Sequence, residues 1–331
     1  MNKSVINFHS NLIDYAGLFP PAKQEMSEAW RDFCFHRDSE YRWMLANFIC
    51  PASRLDELNM YFGQTAGNEQ AFPFSILGSR CDDADTFKSS LKRDMDSVSR
   101  FISSNIKNSV EINIYETHFP HSAILKGGQL EVLNLFHEAD RAIATVLEPE
   151  GMIFYELPVI GADMHLIQTF VESISIYNES LKGDNHTNIN CRCGFKLRCG
   201  GVSADAFPSV EGVAAIVALC QENGVPLKAT AGLHHPLRHY SEDVNTKMHG
   251  FLNLIGAVVL AKCNKIELKQ IKQIISDENS DSFVFSDESF GWREFVCNQD
   301  QIASARDLSF ISYGSCSFVE PIDDLKALGI F

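Results

Sequence analysis

The sequence predicts an α/β fold, a (β/α)8 barrel of the TIM type, on three observations. Short apolar, β-rich runs alternate with longer segments of helical period, the pattern of βα units on a parallel sheet. Eight such runs occur, and strand starts recur about every 30 to 40 residues up to the seventh, close to the minimal βαβ unit of roughly 30. No G-x-G-x-x-G or G-x-x-x-x-G-K-[ST] run occurs, which leaves an open doubly wound sheet, the alternative, without its usual nucleotide-binding signature. With 331 residues, 45% of them hydrophobic, the chain can bury a large core. An α/β barrel with insertions reaches this length as one domain, so residues 1–331 are expected to form a single unit.

The strand candidates are residues 12–19, 43–50, 72–79, 110–117, 152–158, 192–198, 225–231 and 308–314. The first runs into a Phe19-Pro20-Pro21 turn. Amphipathic stretches lie between strands, with apolar residues three and four apart: Phe87, Leu91, Met95, Val98 and Phe101, then Leu133, Phe136, Ala139 and Ile143. Ser209 reads as the N-cap of a helix over 210–220, which Asn223-Gly224 stops before strand seven. The regularity fails once, over an insertion at 234–307. It holds a polar loop to 249, an apolar helix over 250–262, a second helix over 266–275 and an acidic, aromatic stretch over 277–295. It leaves from the C-terminal face of a barrel, where active sites lie, and is read as a lid or a subunit contact.

Lys plus Arg number 28 against 43 Asp plus Glu, a formal net charge of −15. That argues against holding nucleic acid or anionic lipid through the overall field, so an anionic ligand needs a local basic patch. The longest apolar stretch, 252–261, is too short to cross a bilayer and contains Asn253 and Gly256. The first ten residues carry no apolar run, and cysteines such as Cys34, Cys50, Cys220 and Cys263 sit in apolar segments. A reduced, cytoplasmic protein, free of disulfides and capable of forming a homo-oligomer, is the expectation. Cys191, Cys193 and Cys199 do not have a zinc-finger spacing.

A parallel strand buried on both faces should be almost wholly apolar. Strands six and seven are not. In Phe195-Lys196-Leu197-Arg198-Cys199-Gly200-Gly201 the cations alternate with apolar residues, and in Leu227-Lys228-Ala229-Thr230-Ala231-Gly232 the polar positions do the same. Apolar residues belong under the helices, so Lys196, Arg198, Lys228 and Thr230 are expected to point into the barrel near its mouth. Three buried cations without partners would cost several kcal/mol each, so carboxylates or a bound anion must complete the site. Glu156 at the end of strand five is one candidate acid. Asp14 is either a site carboxylate or a partner for Lys196 or Lys228, and strand four offers Glu111, Asn113 and Tyr115 on one face with Glu116 on the other. The glycines Gly200, Gly201 and Gly232 let a ligand approach the backbone. Arg80 adds a cation after strand three.

After strand seven come His234 and His235, which read as an acid–base group or, with Glu156, as a 2-His-1-carboxylate metal set. Strand eight ends in Gly314-Ser315-Cys316-Ser317 before a short helix, a pattern whose backbone N–H groups can cradle an anion. Glu320 follows, either meeting a basic partner or serving as a first-turn acid.

Two of these motifs resemble class I aldolases of the deoxyribose-phosphate type. Lys228-Ala229-Thr230-Ala231-Gly232-Leu233 is similar to their strand carrying the Schiff-base lysine, and Lys196-Leu197-Arg198-Cys199-Gly200-Gly201 to their second lysine strand. The likeness covers about twelve residues, in reverse order along the chain, and Arg198 with His234-His235 has no counterpart in it. It implies a lysine-bearing barrel mouth working without a cofactor. On that reading Lys228 forms an imine, Lys196 depresses its pKa, and Glu156 or His234 moves protons. Arg198, Thr230 and the loop bearing Gly314, Ser315 and Ser317 hold the carboxylate or phosphate of a small anionic carbonyl metabolite. The competing expectations are a metal-dependent hydrolase or isomerase using His234, His235 and Glu156, and a non-catalytic barrel that binds an anion or joins an assembly. A structural ion-pair layer inside the barrel would explain the lysines without any site.

Overall fold

The computed structural model describes residues 2–62, 71–105, 110–182 and 191–331. Each strand candidate forms a strand. In chain order these are β1 (Ile13–Tyr15), β2 (Leu45–Pro51), β3 (Phe72–Leu77), β4 (Val110–His118), β5 (Met152–Glu156), β6 (Arg192–Arg198) and β7 (Leu227–Thr230). The insertion supplies an antiparallel ribbon, β8 (His239–Ser241) with β9 (Thr246–Met248), and a small antiparallel sheet of β10 (Phe283–Phe285), β11 (Ser289–Trp292) and β12 (Phe295–Asn298). The last barrel strand is β13 (Phe310–Ser315). The order β1-β13-β7-β6-β5-β4-β3-β2 closes on itself with every neighbouring pair parallel, so the sheet is a (β/α)8 barrel and not an open one.

Helices fill the outer layer: α1 (Lys3–His9), α2 (Met26–Arg37), α3 (Leu55–Phe62), α4 (Ala84–Ser104), α5 (His121–Ile143), α6 (Met164–Leu181), α7 (Val210–Glu222), α8 (Phe251–Cys263), α9 (Leu268–Ser276), α10 (Gln299–Leu308) and α11 (Val319–Ala327). The periodic residues are the ones that pack. α4 buries Phe87, Leu91, Met95, Val98 and Phe101, and α5 buries Phe136, Ala139 and Ile143. Each such Phe or Ile contributes roughly 1.5–3 kcal/mol of burial. The Ser209 hydroxyl accepts from the Gly212 N–H to cap α7, and Gly224, with φ +62°, follows its end. The stretch 204–222 is apolar and long enough to match a membrane span by composition. In the fold it is broken at Phe207–Ser209 and buries Val213, Ile216, Val217 and Cys220 against the barrel.

The barrel's inside is layered. Ile114, Met152 and Phe154, with Ile311 against them, form an apolar floor. Gly194 is required beside it, since a Cβ there would lie 2.3 Å from the Phe154 ring. Above this floor the lining turns polar. Of the insertion, the β8–β9 ribbon reaches the mouth, whereas β10–β12 packs on α1, α8 and α10. All ten cysteines are free thiols.

Candidate active site

Parallel pairing sets Lys196 of β6 directly beside Lys228 of β7, and Glu156 of β5 beside Lys196. All three point inward and are almost wholly buried. The Lys196 ammonium lies between two carboxylates, 2.8 Å from Glu116 Oε2 and 3.0 Å from Glu156 Oε2. Burial pushes its pKa down, but Glu116 and Glu156 together hold it above the ordinary lysine value. For Glu156, burial works upward and is overridden by Lys196, Arg198 and His118, which bring its pKa to about 2.

Lys228 sits deeper. Its side chain has no exposure, and it donates to Asp14 Oδ2 and to Ser312 Oγ at 3.0 Å, with Glu116 Oε1 3.4 Å away. Of the two roles that the sequence leaves open for Asp14, the fold selects pairing with Lys228. Asp14 is fully satisfied: Ser312 donates to Oδ2 at 2.5 Å, while the Asn47 backbone and side-chain N–H groups donate to Oδ1 at 3.0 and 2.6 Å. Asn113 in turn donates to Asn47 Oδ1 at 3.0 Å. Burial drives the Lys228 pKa well below its ordinary value. Glu116 is thus the bridge between the two amines, and Ser75 fixes it by donating to Oε1 at 2.5 Å.

Over this network opens a cavity of about 890 Å³. Lys196 and Glu116 form its base, and Arg198, Thr230, Gly201 and Gly232 border it. His234, His235, Gly314 and Ser317 complete the wall made by β7 and β13. Lys228, Asp14 and Glu156 do not line it; they stand behind the residues that do. Three other candidates also lie off it. Arg80 is exposed elsewhere on the rim, and buried Ser315 spends its hydroxyl on the Ser317 carbonyl at 2.6 Å. Gly200 instead lets two loops meet: its Cα would be 2.9 Å from a Cβ on Gly232, which itself has φ +68°.

Arg198 donates from Nε to Glu156 Oε1 at 2.8 Å, and nearly half of its side chain remains exposed. His234 Nδ1 lies 3.0 Å from Glu320 Oε2, so Glu320 does meet a basic partner. Cys316, whose sulfur is 4.0 Å from the same nitrogen, and Glu320 raise the His234 pKa against burial to about 10. The imidazole is therefore a cation at neutral pH. His235 pairs with Asp324, one helical turn further along α11, at 2.6 Å.

These pairings correct the metal-set reading. His234 and His235 are turned to separate carboxylates of α11, whereas Glu156 is held by Lys196 and Arg198 on the other side of the mouth. Among the described residues no group of three or more His, Cys, Asp or Glu side chains is placed to hold a metal ion. The sequence reading placed Glu116 on the face opposite Glu111, Asn113 and Tyr115 without giving it a role, and it passed over His118. A β-bulge splits the expected Glu111, Asn113 and Tyr115 face: Phe74 pairs with Ile112 but Ser75 with Ile114, so β4 carries one extra residue. Tyr115 consequently faces outward to Asp94 of α4, and Ile114 and Glu116 face inward. The available signal was a carboxylate ending an otherwise apolar strand face, the same signal that singled out Asp14. His118, 3.8 Å from Glu156 Oε1, is kept below the ordinary histidine pKa chiefly by burial.

No family model matches the chain, and no curated protein does. Among solved structures the chain is similar to a deoxyribose phosphate aldolase from Aeropyrum pernix, described as tetrameric, at 10% identity and a TM-score of 0.47. That likeness covers 98% of this chain and 96% of the other. Two structures of a candidate deoxyribose-phosphate aldolase from Toxoplasma gondii ME49 are similar at 10% identity, with TM-scores of 0.49 and 0.48. They cover 99% and 98% of this chain and 94% and 96% of theirs. The barrel itself stands on its own strand pairings.

Proposed function

We propose that this chain is an aldolase-like lyase in which Lys196 forms an imine with the carbonyl of a small anionic compound. One observation carries the reading: a nearly buried amine at the base of a large cavity has two carboxylates within hydrogen-bond distance. Lys196 takes the nucleophile's role here, in place of Lys228, because an attacking amine must reach the cavity. Lys228 has no exposure and is occupied by Asp14 and Ser312. Its role in this reading is to position Glu116.

The steps balance with groups at hand. Lys196 passes a proton to Glu116 or Glu156, the neutral amine adds to the carbonyl carbon, and the carbinolamine takes a proton back as it expels water. The iminium then accepts the electron pair of the Cα–Cβ bond while a carboxylate takes the proton of the substrate's β-hydroxyl group, so the second fragment leaves as an aldehyde; the enamine that remains is protonated at Cα, and water releases the carbonyl product and Lys196. Arg198, the His234 cation and the N–H groups near Gly314 and Ser317 supply positive charge for a carboxylate or phosphate.

Borohydride with pyruvate should leave a reduced adduct on the Lys196 peptide. Mapping the adduct to Lys228 would overturn the assignment between the two lysines. Finding none on either, while an anion stabilises the protein against heat, favours the non-catalytic barrel. The pH dependence has a definite sign. Because the two carboxylates hold the Lys196 pKa high, the neutral fraction and the trapping rate rise as pH rises. Glu156→Gln removes one carboxylate and should move that limb to lower pH; an unmoved limb in the trapping rate would count against proton transfer from Lys196.

A further inference from the structure

The cavity has two unlike walls, and the barrel order separates them. On the side of neighbouring strands β6, β7 and β13 stand Arg198 at the end of β6 and His234 and Ser317 in the loops after β7 and β13, a wall of charge and hydrogen-bond donors. The β1, β2 and β3 arc contributes Phe19 from the turn after β1, Ile49 within β2 and Leu77 at the end of β3, and the β8–β9 ribbon adds Val244 and Met248 to the lining. On the arc itself, Phe19, Ile49 and Leu77 offer only hydrocarbon, while the ribbon over the mouth also carries Ser241 and Asp243. Lys196 and Glu116 lie at the base between the two. The volume of about 890 Å³ is near the upper end of small-molecule sites, roughly 300–1,000 Å³, and far exceeds what a three-carbon fragment fills.

We infer that the substrate is an amphiphile: a carbonyl compound with an anionic group at one end and a hydrocarbon chain or ring at the other, which lies along the Phe19, Ile49 and Leu77 wall. The inference rests on the reading of this cavity as the place where Lys196 meets a carbonyl. Without an apolar occupant that wall would stay wetted, and covering it releases water at a gain proportional to the area covered. A compound that was polar throughout would leave its hydroxyl groups facing side chains that cannot hydrogen-bond them, a cost on each group. The charged wall fixes the orientation, since a carboxylate on the hydrocarbon side would lie away from Arg198 and His234.

Binding of straight-chain carboxylates from acetate to octanoate to the whole protein, measured by calorimetry, tests this without using any carbonyl chemistry. The dissociation constant should fall roughly three- to fourfold with each methylene until the wall is covered. Leu77→Ser should flatten that slope, whereas Arg198→Gln should weaken every member of the series by a similar factor. Equal affinity for acetate and octanoate in the unaltered protein would overturn the amphiphile. Borohydride trapping with pyruvate reads the imine separately. An adduct with no chain-length slope rejects the hydrocarbon wall alone, and a slope with no adduct on Lys196 rejects the imine and keeps the amphiphile site.

Discussion

Lys196→Arg is expected to abolish the borohydride adduct and to lower turnover of a cleavable substrate by at least about a thousandfold. Arginine is the informative replacement. It keeps a cation facing Glu116 and Glu156, whose carboxylates would otherwise be left buried without a partner at a cost of about 3–5 kcal/mol. A guanidinium stays protonated and cannot form the imine, so the variant removes the nucleophile and retains the charge balance. The network makes that balance visible: Lys196, Lys228 and Arg198 face Asp14, Glu116 and Glu156. Circular dichroism and the melting temperature should report a folded barrel. Adduct formation that survives in the Lys196→Arg protein would place the reacting amine elsewhere.

The strands of this barrel were legible because burial on both faces demands apolar runs, and the interruptions in β6 and β7 stood out against that demand. The inward direction of Lys196 and Lys228 followed from alternation alone. What alternation could not supply was which face of β4 is the inner one: one extra residue breaks the Glu111, Asn113 and Tyr115 face, so Tyr115 turns toward α4 while Ile114 and Glu116 point inside. A bulge leaves no mark in a pattern of two, so Glu116 was legible as a carboxylate opposite Tyr115 but not as the one shared by both lysines. Depth was hidden for a related reason. Lys196 and Lys228 are at the same register, yet one borders the cavity and the other does not. That difference is made by Asp14, Ser312 and Asn47, which arrive from β1, β13 and β2. The histidine pair illustrates a third limit: carboxylates on α11, some ninety residues away in sequence, decide where each ring turns, as the separations of 86 and 89 between partners record.

Lys228→Met should destabilise the protein by about 3–5 kcal/mol, because the Asp14 carboxylate would remain fully buried with its cation gone. With an unfolding entropy of about 2.1 cal/mol/K per residue, a chain of this length should lose roughly 5 °C in Tm. Asp14→Asn should cost a comparable amount, since it strands the Lys228 amine instead. The double variant Lys228→Met, Asp14→Asn removes both charges, so its loss should fall well short of the sum of the single losses. A structural pair and a catalytic pair predict the same stabilities, and trapping separates them. If Lys228 only positions Glu116, the folded Lys228→Met protein still gives a reduced adduct on Lys196, more slowly. If Lys228 is itself the nucleophile, that variant gives no adduct although Lys196 is intact, and the double variant regains stability without regaining chemistry.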